Sequence, residues 1–285
     1  MPGEPEAGGA VPSRNVVATS RFGTETSSTE VGPGDWRTEI SPAWSIGDAA
    51  NGGYAAAPVV RVLREGCGHP DPMSVATTFL RPVRGGPATI RGGTVRAGRS
   101  TTVAAGSLRQ EHKDRLRVEA VFGDLAAPGG DTGTALTVPP PPLVGPDRCI
   151  DRRELAQGVA LPILDRLDVR IDPADAVAGE SDRAVISGWI RFSDGAPPST
   201  LALLLFADAF PPSLFALLGT IGWVPTLELT VHVRRRPVEG WIQARFECDD
   251  LVDGRMIETG ALWDESGRLV ARSRQLALLL PRAKS

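Results

Sequence analysis

Apolar and polar positions along the 285-residue chain run through the same pattern twice. In the first round WRTEIS (36–41) alternates with the two-residue period of a half-buried strand. NGGYAAAPVVRVLRE (51–65) follows, its glycines leading into an apolar stretch with helical spacing. MSVATTFLRPV (73–83), PATIRGGTVRAG (87–98), STTVAAGSLRQ (100–110) and RLRVEAVFG (115–123) then read as strands. The second round opens with RAVISGWIRF (183–192), continues with an apolar helical run from Leu201, and closes with four more strands. These are TLELTVHVRRRPV (226–238), GWIQARFECDD (240–250), RMIETGALWDE (255–265) and RLVARSRQLALLL (268–280). Each round is thus a strand, one long helix and four antiparallel strands. RPV recurs at 81–83 and 236–238, and RL opens the last strand at 115 and 268, offsets of 155 and 153 residues. A duplicated unit is the economical reading. A sheet of this kind has one apolar face that needs cover, and the helix supplies it, which makes the fold class α+β.

The stretch AAPGGDTGTALTVPPPPLVGP (126–146) carries one charge and is rich in Gly and Pro, the composition of an extended linker. The expected organisation is a disordered lead over 1–20, a first unit over 21–125, a linker over 126–147 and a second unit over 148–281. The opening MPGEPEAGGAVPSR is polar and has no apolar core, so it does not read as a signal peptide.

Composition narrows the function classes. A net charge of -3 with no aromatic-plus-basic stripe gives no reason to expect a nucleic-acid partner. Cys67, Cys149 and Cys248 are widely spaced and odd in number, which suits reduced thiols in the cytoplasm better than a zinc site or a disulfide framework. His69, His112 and His232 form no cluster, and His232 is expected on the strand face opposite Thr226 and Thr230. No metal ligand set, GxSxG elbow or phosphate-binding glycine loop is in context. The most apolar segment, LALLLFADAFPPSLFALL (201–218), is long enough to cross a membrane. Asp208 and the Pro211-Pro212 pair at its centre argue for a buried helix instead.

The chain resembles the type II acyl-CoA thioesterases, the double-hotdog family, especially an actinobacterial branch. In the first half NGGY (51–54), FLRPVRGG (79–86) and GRS (98–100) carry the likeness. In the second half ADAFPP (207–212), GWVPTLELTVHV (222–233) and LVARSRQLALL (269–279) do so. The likeness covers roughly Phe22 to Leu280. It implies a tandem hotdog in which each helix is wrapped by a curved antiparallel sheet. It also implies hydrolysis of an acyl thioester, with no cofactor beyond the CoA that belongs to the substrate.

The resemblance places the catalytic Asp on Asp208 and the Gln on Gln275. It places the hydroxyl on Thr226, with Thr230 a competing assignment because one extra residue lies between Thr226 and Pro237. Both threonines are expected on one strand face, since their spacing is even. Read from the residues alone, a carboxylate amid apolar neighbours must be paired, hydrogen-bonded or neutral, and burial would raise its pKa toward that of a general base. The plain alternatives are a turn-forming Asp before Pro211 and an exposed edge-strand Gln. Asn51, Gly52, Gly53 and Tyr54 are candidate substrate contacts through backbone N–H groups at a helix start, or a glycine turn and nothing more. In the first half Asn51, Asp71 and Phe122 stand near the positions of Asp208, Thr226 and Gln275, so one active centre per chain is expected. Arg81, Arg84, Arg234 and Arg235 could meet CoA phosphates or be solvated. Trp223 and Trp241 read as packing anchors. A ligand-binding hotdog without hydrolysis is the rival function. Open sheet edges leave both a monomer and a homo-oligomer open.

Overall fold

The alternating segments form one 13-stranded sheet in the computed structural model of the protein, which describes residues 20–127, 136–155, 158–219 and 224–280. In the first half, α1 (Arg21–Glu25), β1 (Ser28–Gly32), β2 (Asp35–Ile40), the two-residue strands β3 (Ser45–Ile46) and β4 (Ala49–Ala50) and the helix α2 (Gly52–Glu65) precede four long strands. These are β5 (Asp71–Phe79), β6 (Gly86–Ala97), β7 (Thr102–Gln110) and β8 (Lys113–Gly123). The second half holds β9 (Ile150–Asp151), β10 (Leu167–Ile171), α3 (Pro173–Ala176), β11 (Val185–Phe192), α4 (Ala202–Phe206) and α5 (Leu214–Leu218). Its four closing strands are β12 (Thr226–Val233), β13 (Ile242–Val252), β14 (Arg255–Trp263) and β15 (Leu269–Leu278).

From the centre of the sheet outward, one side runs β5, β8, β7, β6, β2 and the other β12, β15, β14, β13, β11. The two series match element for element, so the repeat in the sequence is a repeat in space. The halves join where β5 and β12 pair antiparallel, with Leu229 opposite Thr77 and Val231 opposite Val75. The arrangement is a tandem hotdog of α+β class.

Asn51 caps α2 by accepting the Tyr54 N–H on its side-chain oxygen at 2.9 Å, which satisfies one of the donors a helix start leaves unpaired. Ten of the fourteen α2 residues are buried, among them Tyr54, Ala57, Val60 and Leu63. This helix packs on β5, β6, β7 and β8 and against α4. An added Cβ on Gly53 would run into the Leu204 carbonyl oxygen, so only glycine lets α2 approach α4 this closely.

Three expectations need correction. The second half has no single long helix: the 201–218 run folds as two five-residue helices with an irregular turn between them. Pro211 and Pro212 explain the break, because proline offers no N–H and disfavours helical backbone in the residue before it. Nor do Thr226 and Thr230 share a face. A β-bulge between Thr226 and Glu228 shifts the register, and an extra residue reverses the alternation. Thr226 lies across from the buried Ala277, on the inner side, while Thr230 lies across from Arg274. His232 is exposed and has the parity of Thr230, so those two share the outer face.

Residues 1–19, which hold nearly all of the expected lead, fall outside the described residues, as do Trp223 and part of the linker. The described linker residues are tied to the second half of the sheet. Trp263 Nε1 donates to the Val138 carbonyl at 2.8 Å, Gln243 Nε2 to Pro141 at 2.6 Å and Trp189 Nε1 to Val144 at 2.9 Å. Among the described residues no helix is long and apolar enough to cross a membrane.

Candidate active site

The turn between α4 and α5 carries Asp208 to the start of α2 in the other half. There its carboxylate accepts Asn51 Nδ2 at 2.9 Å and the Gly53 N–H at 3.1 Å. Asn51 Nδ2 also reaches the Asp208 carbonyl at 2.6 Å. The two residues that stand at equivalent places in the halves therefore meet, and both halves build the site. An added Cβ on Gly52 would sit 3.0 Å from Asp208 Oδ2 and 2.7 Å from the Phe79 ring. A side chain at position 52 would crowd this carboxylate.

Asp208 keeps partial access to a cavity of about 280 Å³. Asn51, Gly52, Thr226, Gln275, Glu258 and Arg152 supply polar groups to its wall. Phe79, Phe210, Phe215 and Phe246 supply apolar surface, a mixture suited to an acyl chain with one reactive polar end. Protein surrounds the Asp208 carboxylate, and burial pushes its pKa up to about 6, against the pull of the Gly53 and Gly52 N–H groups and the Arg152 charge. Among the residues predicted from sequence, Asp208, Thr226, Gln275, Asn51 and Gly52 thus come together around one space. Gly53 faces it only through its bond to Asp208.

Most of the remaining candidates lie elsewhere. The Thr230 hydroxyl donates to Glu228 Oε1 on the outer side of β12, and Thr230 does not line the cavity. Tyr54 points into the core of the first half. Its hydroxyl donates to the Glu25 carbonyl at 2.8 Å and accepts the Ser41 N–H at 3.0 Å, and its ring stacks on Trp44 at 5.2 Å. Arg81 reaches the cavity wall. Arg84 lies within 3.8 Å of the exposed Asp48, and Arg234 and Arg235 are exposed after β12. Trp241 lies under the Arg191 guanidinium, 4.2 Å from its ring centre.

Two charged residues in the cavity escaped the sequence reading. Glu258 on β14 accepts the Ser213 N–H at 2.7 Å, the Ser213 hydroxyl at 2.5 Å and Gln275 Nε2 at 3.1 Å. Burial, with the Asp208 charge adding to it, pushes its pKa up to about 7, against the pull of the Ser213 donors. The signal was present in the strand: Glu258 has the parity of the buried Met256 and Leu262, so period two alone points it inward. Arg152 is 2% exposed and donates through one terminal nitrogen to the Ala209 carbonyl. Burial pushes its pKa down to about 9, opposed by the nearby Asp208. Nothing in the surrounding IDRRELA marks it, because the Ala209 carbonyl that it meets lies in a segment distant in sequence.

Family models of the acyl-CoA thioesterase N-terminal and C-terminal domains match residues 40–123 and 146–279. The chain belongs to the acyl-CoA thioesterase family. A protein of Thermobifida fusca assigned as a thioesterase II has a similar structure, with 29% identity, a TM-score of 0.82 and coverage of 95% of this chain and 100% of that one. The acyl-CoA thioesterase II of Mycobacterium marinum shares the fold at 19% identity and a TM-score of 0.70, over 92% of this thioesterase-family chain and 99% of its own. An uncharacterized protein of Mycobacterium tuberculosis is 27% identical over 270 residues, which cover 85% of this chain and 89% of the relative.

Proposed function

We propose that the chain hydrolyses acyl-CoA thioesters to the free acid and CoA, with Asp208 as general base. The observation that carries this reading is a carboxylate with its pKa raised to about 6, set in a largely apolar cavity that Thr226 and Gln275 also line. A base of that strength is ionised at neutral pH yet able to take a proton from water. The water, held by Thr226 and Gln275, gives its proton to Asp208 as its oxygen bonds to the thioester carbonyl carbon. The tetrahedral intermediate then expels the CoA thiolate, which takes the proton back from Asp208. No covalent acyl-enzyme and no cofactor is required. The Gly53 N–H, expected to meet the substrate, instead holds the base in place, so Asn51 and Gly53 serve the substrate indirectly. The acyl chain would lie against the four phenylalanines of the cavity. The exposed Arg81 on the cavity wall would face the CoA moiety.

The test is release of free thiol from acyl-CoAs of graded chain length. Release that disappears in Asp208→Asn supports the reading, and release unchanged in that variant overturns the mechanism. Saturable acyl-CoA binding without release would favour a ligand-binding role instead.

A further inference from the structure

Resting on the hydrolase reading, a second buried carboxylate in the same cavity acquires a role. Glu258 and Gln275 are directly opposed across the β14–β15 pair, so both side chains leave the sheet on one face. Leu229 of β12 is opposite Gln275 in turn and is 3% exposed, which marks that face as the inner one. Glu258 itself is 6% exposed.

A primary amide has an NH2 end that donates and an oxygen end that accepts, and nothing in its shape distinguishes them. Its neighbours must choose the orientation. An ionised carboxylate has no hydrogen to give, so it admits only the NH2 end. Glu258 Oε1 takes Gln275 Nε2 at 3.1 Å. Glu258 Oε2 is held from behind by the Ser213 N–H and hydroxyl, at 2.7 and 2.5 Å. Those two donors come from the start of α5, in the same segment that carries Asp208. The α4–α5 turn therefore anchors the base and, through Ser213 and Glu258, the amide on β15.

We propose that Glu258 is a positioning residue that grips the Nε2 end of the Gln275 amide and so presents its oxygen to the water that Asp208 activates. With Nε2 fixed on Glu258, the Gln275 oxygen accepts one hydrogen of the water while Asp208 accepts the other. Both acceptors then direct a lone pair of the water oxygen at the carbonyl carbon. Glu258 does not touch the reacting atoms.

Glu258→Gln tests this with little change in volume. The Ser213 backbone N–H can only donate, so it claims the oxygen of the new amide. The NH2 end then faces Gln275 and admits only its oxygen, which reverses the Gln275 amide. Assays at pH 8 keep the native Glu258 ionised. The expected result is a kcat lower by about tenfold with KM nearly unchanged, the scale of one misdirected hydrogen bond. Gln275→Ala is expected to lose about a hundredfold, and adding Glu258→Gln to it should cost nothing more, because the residue through which Glu258 acts is gone. Losses that multiply in the double variant would overturn the proposal and make Glu258 an independent structural group. Ser213→Ala, which removes only the hydroxyl clamp, guards against a misfolded Glu258 variant: its smaller loss should likewise vanish in the Gln275→Ala background, and a loss that persists there overturns the proposal. A wild-type chain that releases no thiol would remove the hydrolase reading and this role with it. An active wild type with multiplying losses removes only the role.

Discussion

Asp208→Asn should abolish turnover and also make the fold more stable, by an amount that depends on pH. The native carboxyl titrates at about 6 against an ordinary value of 3.8. A folded-state pKa above the unfolded one means that the folded protein binds the proton more tightly. Its contribution to stability is full below about pH 4 and is lost as pH rises toward 6. Each pH unit in that window costs about 1.4 kcal/mol, so about 3 kcal/mol is gone above pH 6. Asparagine has a similar shape, and its oxygen can still accept Asn51 Nδ2 and the Gly53 N–H, but it never ionises. The variant should therefore gain on the wild type by about 2 kcal/mol more at pH 7.5 than at pH 4.5. That is a melting-temperature difference of about 4 °C for a chain of this size. Glu258 ionises in both proteins, more easily in the variant because the Asp208 charge is gone, which adds to the gain in the same direction. Urea titrations at the two pH values measure the difference. A stability change independent of pH, or a loss that grows toward pH 7.5, would refute the account of a desolvated base.

In the wild type, kcat/KM should rise with pH to a plateau reached once Glu258 has ionised near 7, the lower limb having its half-point near the Asp208 value of about 6. Arg152→Met should move that half-point upward, since the Arg152 charge favours the ionised base; pH–rate profiles of the two proteins check both statements. Thr226→Val should lower kcat by about tenfold or more, whereas Thr230→Val, on the outer side of the bulge, should leave it within about twofold of wild type; thiol-release kinetics separate the two positions. Gly53→Ala should destabilise the fold by about 3 kcal/mol, because its methyl meets the Leu204 backbone, which cannot step aside; thermal melting is the measurement.

Period two along the strands, the two apolar helical runs and the spaced repeats of RPV and RL were enough to place every long strand and to reveal the duplication. Those patterns are legible because a sheet with one buried face imposes its alternation residue by residue. Asp208 stood out for a local reason as well: a lone carboxylate in an apolar run has to be accounted for. What the sequence could not settle depended on contacts between distant segments. The bulge beside Thr226 reversed a parity that even spacing had implied, and that bulge belongs to the pairing of β12 with the distant β15. The proline pair announced a break in the helix, but not that the break would deliver Asp208 to Asn51 and Gly53 of the other half. Arg152 looks like a surface residue until the chain closes over it. Glu258 could have been assigned to the inner face, yet its bond to Gln275 exists only because β14 and β15 pair in one particular register. Local periodicity is written in the side chains themselves, whereas the chemistry of a cavity depends on which distant backbones are brought within hydrogen-bond reach, and only the folded packing decides that.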